Sequence, residues 1–309
     1  MRQLDVVAAY SNPIRWQNRS KVHAQFEDHM LDSGVRLSTI ECAYGNRPFE
    51  LLPRTGVNRI QVRSDTMVWN KENLLNIGIG RLPSDWRMVA TLDGDILFRN
   101  PNWAQHTIDA LDHYHVIQPW QACYDLGPGG EHLETHCSLL SLWFQGKDIV
   151  QGIGQPVTNG YEFGHPGFAW AWTRQALEWV GGLLEVACLG AADHHMALGL
   201  FGKAHYSYPN YISAAYKREI GLWQQRACKL INGRVGYLHN TIEHQWHGRK
   251  KSRAYIGRWD IIKKHAFDPD LDLKWNTHGV VELAGNKPDL MHDIDRYFRQ
   301  RSEDANVVD

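Results

Sequence analysis

The feature that most constrains this chain is the regular exchange of short apolar runs with longer amphipathic ones over its first 120 or so residues. LDVVAAY (4–10) reads as a buried strand, broken by Ser-Asn-Pro. A helix is expected next, over 17–34, with Val22, Phe26 and Met30 recurring at helical spacing and Gly34 as its stop. VRLSTIECAYG (35–45) and NRIQVRS (58–64) read as strands, 70–83 as a helix, WRMVATLD (86–93) as a strand, 102–114 as a helix and HVIQPW (115–120) as a strand. Strands alternating with helices imply a mainly parallel sheet flanked by helices, Rossmann-like in kind. In open sheets of that type, ligands bind beyond the carboxyl ends of the strands.

The fourth expected strand ends on Asp93-Gly94-Asp95. Carboxylates at i and i+2 can reach one hard cation if the backbone turns between them, and a glycine makes the turn easy. Taken alone, the same pattern also fits a solvated turn at a strand end.

Downstream, Gly and Pro are dense over 121–166, and regular elements are hard to place there. A long irregular loop is expected. A strand at 168–173 and helices at 174–184, 192–202 and about 211–230 follow. A strand then runs from Arg234 into YLHNTIEHQWHG. That last segment sets His244 and His247 beside Gly248 and a basic cluster of Arg249, Lys250, Lys251, Arg253 and Arg258. A neutral imidazole can complete a carboxylate metal site, and the cations can neutralise a diphosphate. Each histidine also fits an ordinary polar position, and the cluster a solvated basic face.

Charge limits the partners. The chain carries 33 Lys+Arg against 34 Asp+Glu, so it has no global field to collect nucleic acid or an anionic membrane. No stretch approaches the length of a membrane span, and the N-terminus lacks the apolar core of a signal peptide. Five scattered cysteines without a CxxC pair read as free thiols of a reducing compartment. A soluble, cytoplasmic protein is expected, in a host cytoplasm if viral.

In their order and spacing, several segments resemble the GT-A glycosyltransferases, and among them a largely phage-type group with a DxD motif. They are ECAYGNRPFE, VWNKENLLNIGIGRLP, TLDGDILFRNPNW, HPGFAWAWTRQAL, GAADHHMALGL and HQWHGRKKSRAYIGR. The resemblance spans about residues 5–260. It implies one GT-A-like catalytic domain over 1–265, with a nucleotide-binding half to about 120, an acceptor half beyond it, and a C-terminal extension over 266–309. Asp93 and Asp95 would hold Mn²⁺ or Mg²⁺ against a nucleoside-diphosphate sugar, a UDP-sugar first among donors. His244 or His247 would be the third ligand, with His247 favoured because it directly precedes Gly248. Ala9, Tyr10 and Glu41 would contact the nucleoside. Arg63, Asp65, Lys71, Asn73, Gly94, Lys251 and Arg253 would line the nucleotide and diphosphate side. His165, Gly167, Trp170, His194 and Trp246 would face the sugar and the acceptor, His165 in a catalytic role. Asp193 would be the base for an acceptor hydroxyl on a glycan or a hydroxymethylated DNA base, although it also fits a helix N-cap.

Two other classes compete. Asp193-His194-His195 with the DxD pair suggests a DHH phosphoesterase, but VATL before Asp93 lacks the histidine such sites place upstream. Trp69, Trp170, Trp172 and Trp246 could instead form the stacking platform of a non-catalytic sugar or nucleic-acid binding module.

Overall fold

In the computed structural model, which describes residues 2–150, 164–253, 257–306 and 308, thirteen strands fall into three sheets. The strands are β1 (Asp5–Ser11), β2 (Arg36–Tyr44), β3 (Val57–Ser64), β4 (Met88–Leu92), β5 (Ile96–Phe98), β6 (Val116–Gln118), β7 (Ala122–Leu126), β8 (His132–Cys137), β9 (Ala169–Thr173), β10 (Val235–Tyr237), β11 (Thr241–His244), β12 (Leu273–Trp275) and β13 (Val281–Leu283). The helices are α1 (Gln17–Asp32), α2 (Lys71–Gly80), α3 (Trp103–Leu111), α4 (Leu139–Phe144), α5 (Arg174–Val180), α6 (Ala192–Gly199), α7 (Ala214–Leu230), α8 (Arg258–Lys264), α9 (Pro269–Asp272) and α10 (Pro288–Gln300).

The large sheet has the order β10-β6-β9-β4-β1-β2-β3. β1 pairs in parallel with both β2 and β4, and β9 runs antiparallel between β4 and β6. Both faces of β1 are buried: Val6 and Ala8 pack with Phe26 and Met30 of α1, while Val7 packs on the face that holds Leu75 of α2. The mainly parallel α/β sheet expected from the sequence is thus present. Because β2 lies on one side of β1 and β4 on the other, the chain reverses its winding between β1 and β4. The crevice beyond their carboxyl ends is where such sheets bind ligands.

Three features depart from the sequence reading. The stretch expected to be irregular from 121 forms the β7–β8 hairpin and α4, leaving 151–163 outside the described residues. β8 hid because its side chains are half-exposed, which leaves no apolar alternation to read. The single strand expected from Arg234 to Gly248 is broken: β10 joins the large sheet, while β11 joins a second sheet of order β5-β11-β7-β8. Finally, packing shows no boundary at 265. Leu273, Val281, Leu283, Leu290, Ile294, Tyr297 and Phe298 belong to the same core as Val7, Trp172 and Leu198. α10 is amphipathic, and charged residues on its outer face mask that inner one in a linear reading.

Candidate functional site

The Asp93-Gly94-Asp95 turn is the passage from the large sheet to the small one. Asp93 N–H donates to Phe168 O at 2.8 Å, beside the start of β9, and Asp95 O accepts from Gln245 N at 2.8 Å, just past β11. Gly94 lies flat on α1: a Cβ there would sit 2.5 Å from His23 Nδ1. That His23 is buried, 3.1 Å from Glu27, which Arg59 also engages. The turn is therefore clamped from three sides, and its two carboxylates are sent into different surroundings.

Asp95 meets the late histidines. His247 Nε2 lies 3.1 Å from Asp95 Oδ2 and 3.0 Å from His244 Nε2, with His244 Nε2 3.7 Å from the same oxygen. Ligands about 2.1 Å from one cation in neighbouring octahedral positions stand about 3 Å apart, so this spacing fits a single divalent ion. Asp95 Oδ1 and His247 Nδ1 are buried without a hydrogen-bond partner among the described residues. Burial pushes Asp95 up, but the two imidazoles outweigh it and hold the carboxyl well below its usual range. His244 moves up to about 9: burial opposes the charge, but Asp95 and Asp125 favour it more strongly. His247 moves down to about 4 through burial and the repulsion of Arg253.

An outer layer fixes these ligands. His244 Nδ1 is 2.6 Å from Asp125 Oδ1 on β7, an arrangement that turns Nε2 toward the metal position. Asp125, Glu134 and His136 form a second group of possible ligands, but a lysine already supplies its positive charge. Lys250 Nζ bonds Asp125 and Glu134 and lies 3.1 Å from His136 Nε2. Behind His247, Gly248 has φ +91°, and a Cβ there would lie 2.7 Å from Glu303 Cα. Glu303 is buried between Arg19 (2.6 Å) and Arg301 (2.8 Å), with Oε2 3.9 Å from His247 Nδ1.

Asp93 faces the other way. Its Oδ1 accepts from Lys71 Nζ at 3.0 Å, at the first turn of α2, and Asp93 stands outside the group of possible ligands that Asp95 forms with His244 and His247. Burial and the charge of Asp95 raise the Asp93 carboxyl. Burial opposes the charge on Lys71, but Asp93, Glu72 and Asp193 hold it above its usual range. Burial lifts the neighbouring Glu72 to about 7. These groups open into a cavity that is also lined by Leu75, Thr91, Trp170 and Met196. Asp193 reaches it from the first turn of α6. Gly167 is what lets Asp193 come so close: a Cβ there would meet Asp193 Oδ2 at 2.8 Å and His165 Cε1 at 3.1 Å.

The remaining sequence candidates divide. Tyr10 and Glu41 line a small recess beyond the ends of β1 and β2, while Ala9 packs against the core. Glu41 also accepts from Leu51 N at 3.2 Å, and Arg63 donates to Gly45 O and Arg47 O at 2.8 and 2.7 Å, so both shape the loop forming that recess. Asp65 is exposed at the end of the edge strand β3. Asn73 spends its amide on the β12–β13 hairpin, at Gly279 O (3.0 Å) and Val281 N (2.9 Å), and not on the crevice. Trp246 donates to Ala305 O at 2.8 Å, which ties it to the C-terminal segment. Trp170 lines the cavity, but its N–H goes to Pro166 O at 2.7 Å. His165 stacks on Phe168 with centroids 4.0 Å apart, and burial holds its ring well below the usual range. Burial also takes His194 down to about 4. Lys251 is exposed and Arg253 buried near His247. His195 is a core residue, 2.6 Å from Ser207 Oγ, so the Asp193-His194-His195 triplet does not converge on the carboxylate turn as a two-metal phosphoesterase requires.

Sequence reasoning missed Glu72, Asp125 and Glu303. Glu72 adjoins the chosen Lys71, and its placement on the first turn of the expected helix was the available signal. Asp125 and Glu303 carried none, because both act through residues more than fifty positions away.

No protein-family profile matches the chain, and no curated protein matches it. Among solved structures, it is similar to a mutant of Drosophila β1,4-galactosyltransferase 7 in complex with manganese, UDP-Gal and xylobiose: 11% identity over 94% of this chain and 99% of that one, TM-score 0.44. It is also similar to residues 1–349 of S. aureus TarS: 11% identity over 85% of this chain and 68% of that one, TM-score 0.39.

Proposed function

We propose that this protein is a metal-dependent glycosyltransferase that moves a sugar from a nucleoside-diphosphate donor to an acceptor hydroxyl. The observation that carries this reading is the position of the Asp95–His244–His247 trio. It lies at the strand switch point and is separated by one glycine from a cavity that holds Lys71, Asp93 and Asp193. Two imidazoles and a carboxylate suit Mn²⁺ better than Mg²⁺, which prefers oxygen ligands. When bound, the ion supplies positive charge to the leaving diphosphate.

The chain's own groups do the rest. The recess at Tyr10 and Glu41 takes the nucleoside. Asp95, His244 and His247 fix the ion, and Asp125 orients His244. Lys71 holds Asp93, which accepts from hydroxyls of the donor sugar. The acceptor oxygen attacks the anomeric carbon as the bond to the diphosphate oxygen breaks and its electron pair leaves with the diphosphate. Asp193, at the cavity mouth, takes the acceptor proton. The acceptor is a glycan or a hydroxymethylated DNA base. No described helix is long and apolar enough to cross a membrane.

A screen of nucleotide sugars with Mn²⁺ tests this reading, followed as nucleoside-diphosphate release and as a rise in melting temperature with Mn²⁺ and the matching diphosphate. Release from one donor, lost in Asp95→Ala, is expected. Absence of both release and thermal shift across the uridine, guanosine and cytidine series overturns the reading.

A further inference from the structure

The cavity below Asp93 has its charged groups at one end. α6 faces it with Asp193, Met196, Ala197 and Leu200, residues at i, i+3, i+4 and i+7, so that one helical stripe begins with an acid and continues apolar. α2 does the same with Lys71 and Glu72 at the rim and Leu75 beneath. On the sheet side, Thr91 of β4 is level with Trp170 of β9, and Val89 with Trp172, so Trp172 lies about 7 Å deeper than Trp170 along the strand. Leu183 also lines the cavity.

Trp172 is 1% exposed, and its indole N–H has no hydrogen-bond partner among the described residues. A buried donor left unmade costs roughly 1–3 kcal/mol, so such a group marks a place where a ligand can supply the acceptor. Trp170, on the same face, has its N–H satisfied by Pro166 O, which leaves the deeper indole as the available one.

We infer that this cavity receives the N-acetyl group of the donor sugar, making the enzyme selective for 2-acetamido sugars. The inference rests on the glycosyltransferase reading above. In a nucleotide sugar C2 is bonded directly to the anomeric carbon, so its substituent lies beside the reacting centre. With that carbon held between Asp193 and the metal-bound diphosphate, the C2 substituent is the group next to the cavity. An acetamido group brings one methyl, one acceptor and one donor. The methyl meets Leu75, Met196, Ala197 and Leu200. The carbonyl oxygen accepts from Trp172 N–H, and the amide N–H donates to the Glu72 carboxyl at the rim. A plain hydroxyl at C2 is too short to reach the indole and leaves the apolar walls uncovered.

The experiment compares UDP-N-acetylglucosamine with UDP-glucose, and UDP-N-acetylgalactosamine with UDP-galactose, each with Mn²⁺, by kcat/KM for diphosphate release. The acetamido member of at least one pair is expected to lead by tenfold or more, the scale at which lost polar contacts discriminate, about tenfold and above. In Trp172→Phe, which keeps the ring and removes the donor, that ratio is expected to fall by about fivefold to tenfold. Ala197→Leu, which fills the cavity from α6, is expected to lower it as well, so the inference does not depend on one variant folding. Both variants are expected to keep the thermal shift with Mn²⁺ and UDP. Equal or faster use of the plain sugars overturns the inference while the glycosyltransferase reading stands. An acetamido preference that survives both substitutions also overturns it, since the selectivity then lies elsewhere, as with a cavity that takes an apolar part of the acceptor. No release and no thermal shift with any of the four overturns both.

Discussion

Asp93 and Asp95 are separated by one glycine, yet they belong to different halves of the molecule. Asp95 opens the small sheet and meets two imidazole nitrogens; Asp93 closes the large sheet and meets an ammonium. The two carboxyls move in opposite directions: burial, with the charge of Asp95, lifts Asp93, while the two imidazoles outweigh burial and hold Asp95 down. One carboxylate stands among imidazole nitrogens, a set that could hold a metal ion, whereas the other is already paired with a lysine. Two identical side chains at i and i+2 therefore need not play the same part, because the sheet each borders decides what surrounds it.

The sharpest way to break this contrast is to remove each carboxylate in turn. Asp95→Ala is expected to abolish the Mn²⁺-dependent thermal shift and to cut sugar release by about a thousandfold, the scale of several kcal/mol of charge stabilisation. Asp93→Asn should reduce release by about a hundredfold while Mn²⁺ affinity, followed by calorimetric titration, changes only a few-fold. If Asp93→Asn loses the metal as completely as Asp95→Ala does, the division of labour is wrong and both carboxylates are ligands.

Asp125→Asn probes the outer layer of the metal half. Its expected effect is a loss of Mn²⁺ affinity of about tenfold to a hundredfold, typical of a residue that orients a ligating histidine. Unchanged affinity would show that His244 is held without it. Gly94→Ala tests the junction between the halves. Its new methyl meets His23 Nδ1 at 2.5 Å, and an overpacking cost of about 1–3 kcal/mol is expected in denaturant melts. Gly94→Ala with wild-type stability would mean that α1 yields freely beneath the turn.

The smallest effect is on acid stability. Burial opposes the charge on Glu27 and on Glu303, but His23 and Arg59 outweigh it for the first, and Arg19 and Arg301 for the second, so both carboxyls stand below their usual range. As pH falls, the unfolded chain takes up these protons before the folded one does, which favours unfolding. The contribution is complete above about pH 4.5 and declines below it, so urea midpoints should drop from about pH 4.5 toward about pH 3. Midpoints that stay flat to the acid end would remove these ion pairs from the account.

The large sheet was legible because its signal is local. Val6, Val7 and Ala8 are apolar whichever strand they pair with, and Val22, Phe26 and Met30 show their shared face within one helix. The carboxylate turn and the histidine segment were legible as residue types of the right chemistry. Their partition was not, since nothing near Asp93 tells that Lys71 takes it and nothing near Asp95 tells that both histidines do. The small sheet was hidden for a related reason. Its strands are three to six residues long and come from four separate stretches, so periodicity has too little chain to act on.

The Arg19–Glu303 contact that backs His247 joins positions 284 apart in the chain. Closing so long a span comes late in folding, because its entropic cost falls due before its contacts repay it. Arg19 and Glu303 thus stand behind His247 only when both ends of the chain are in place.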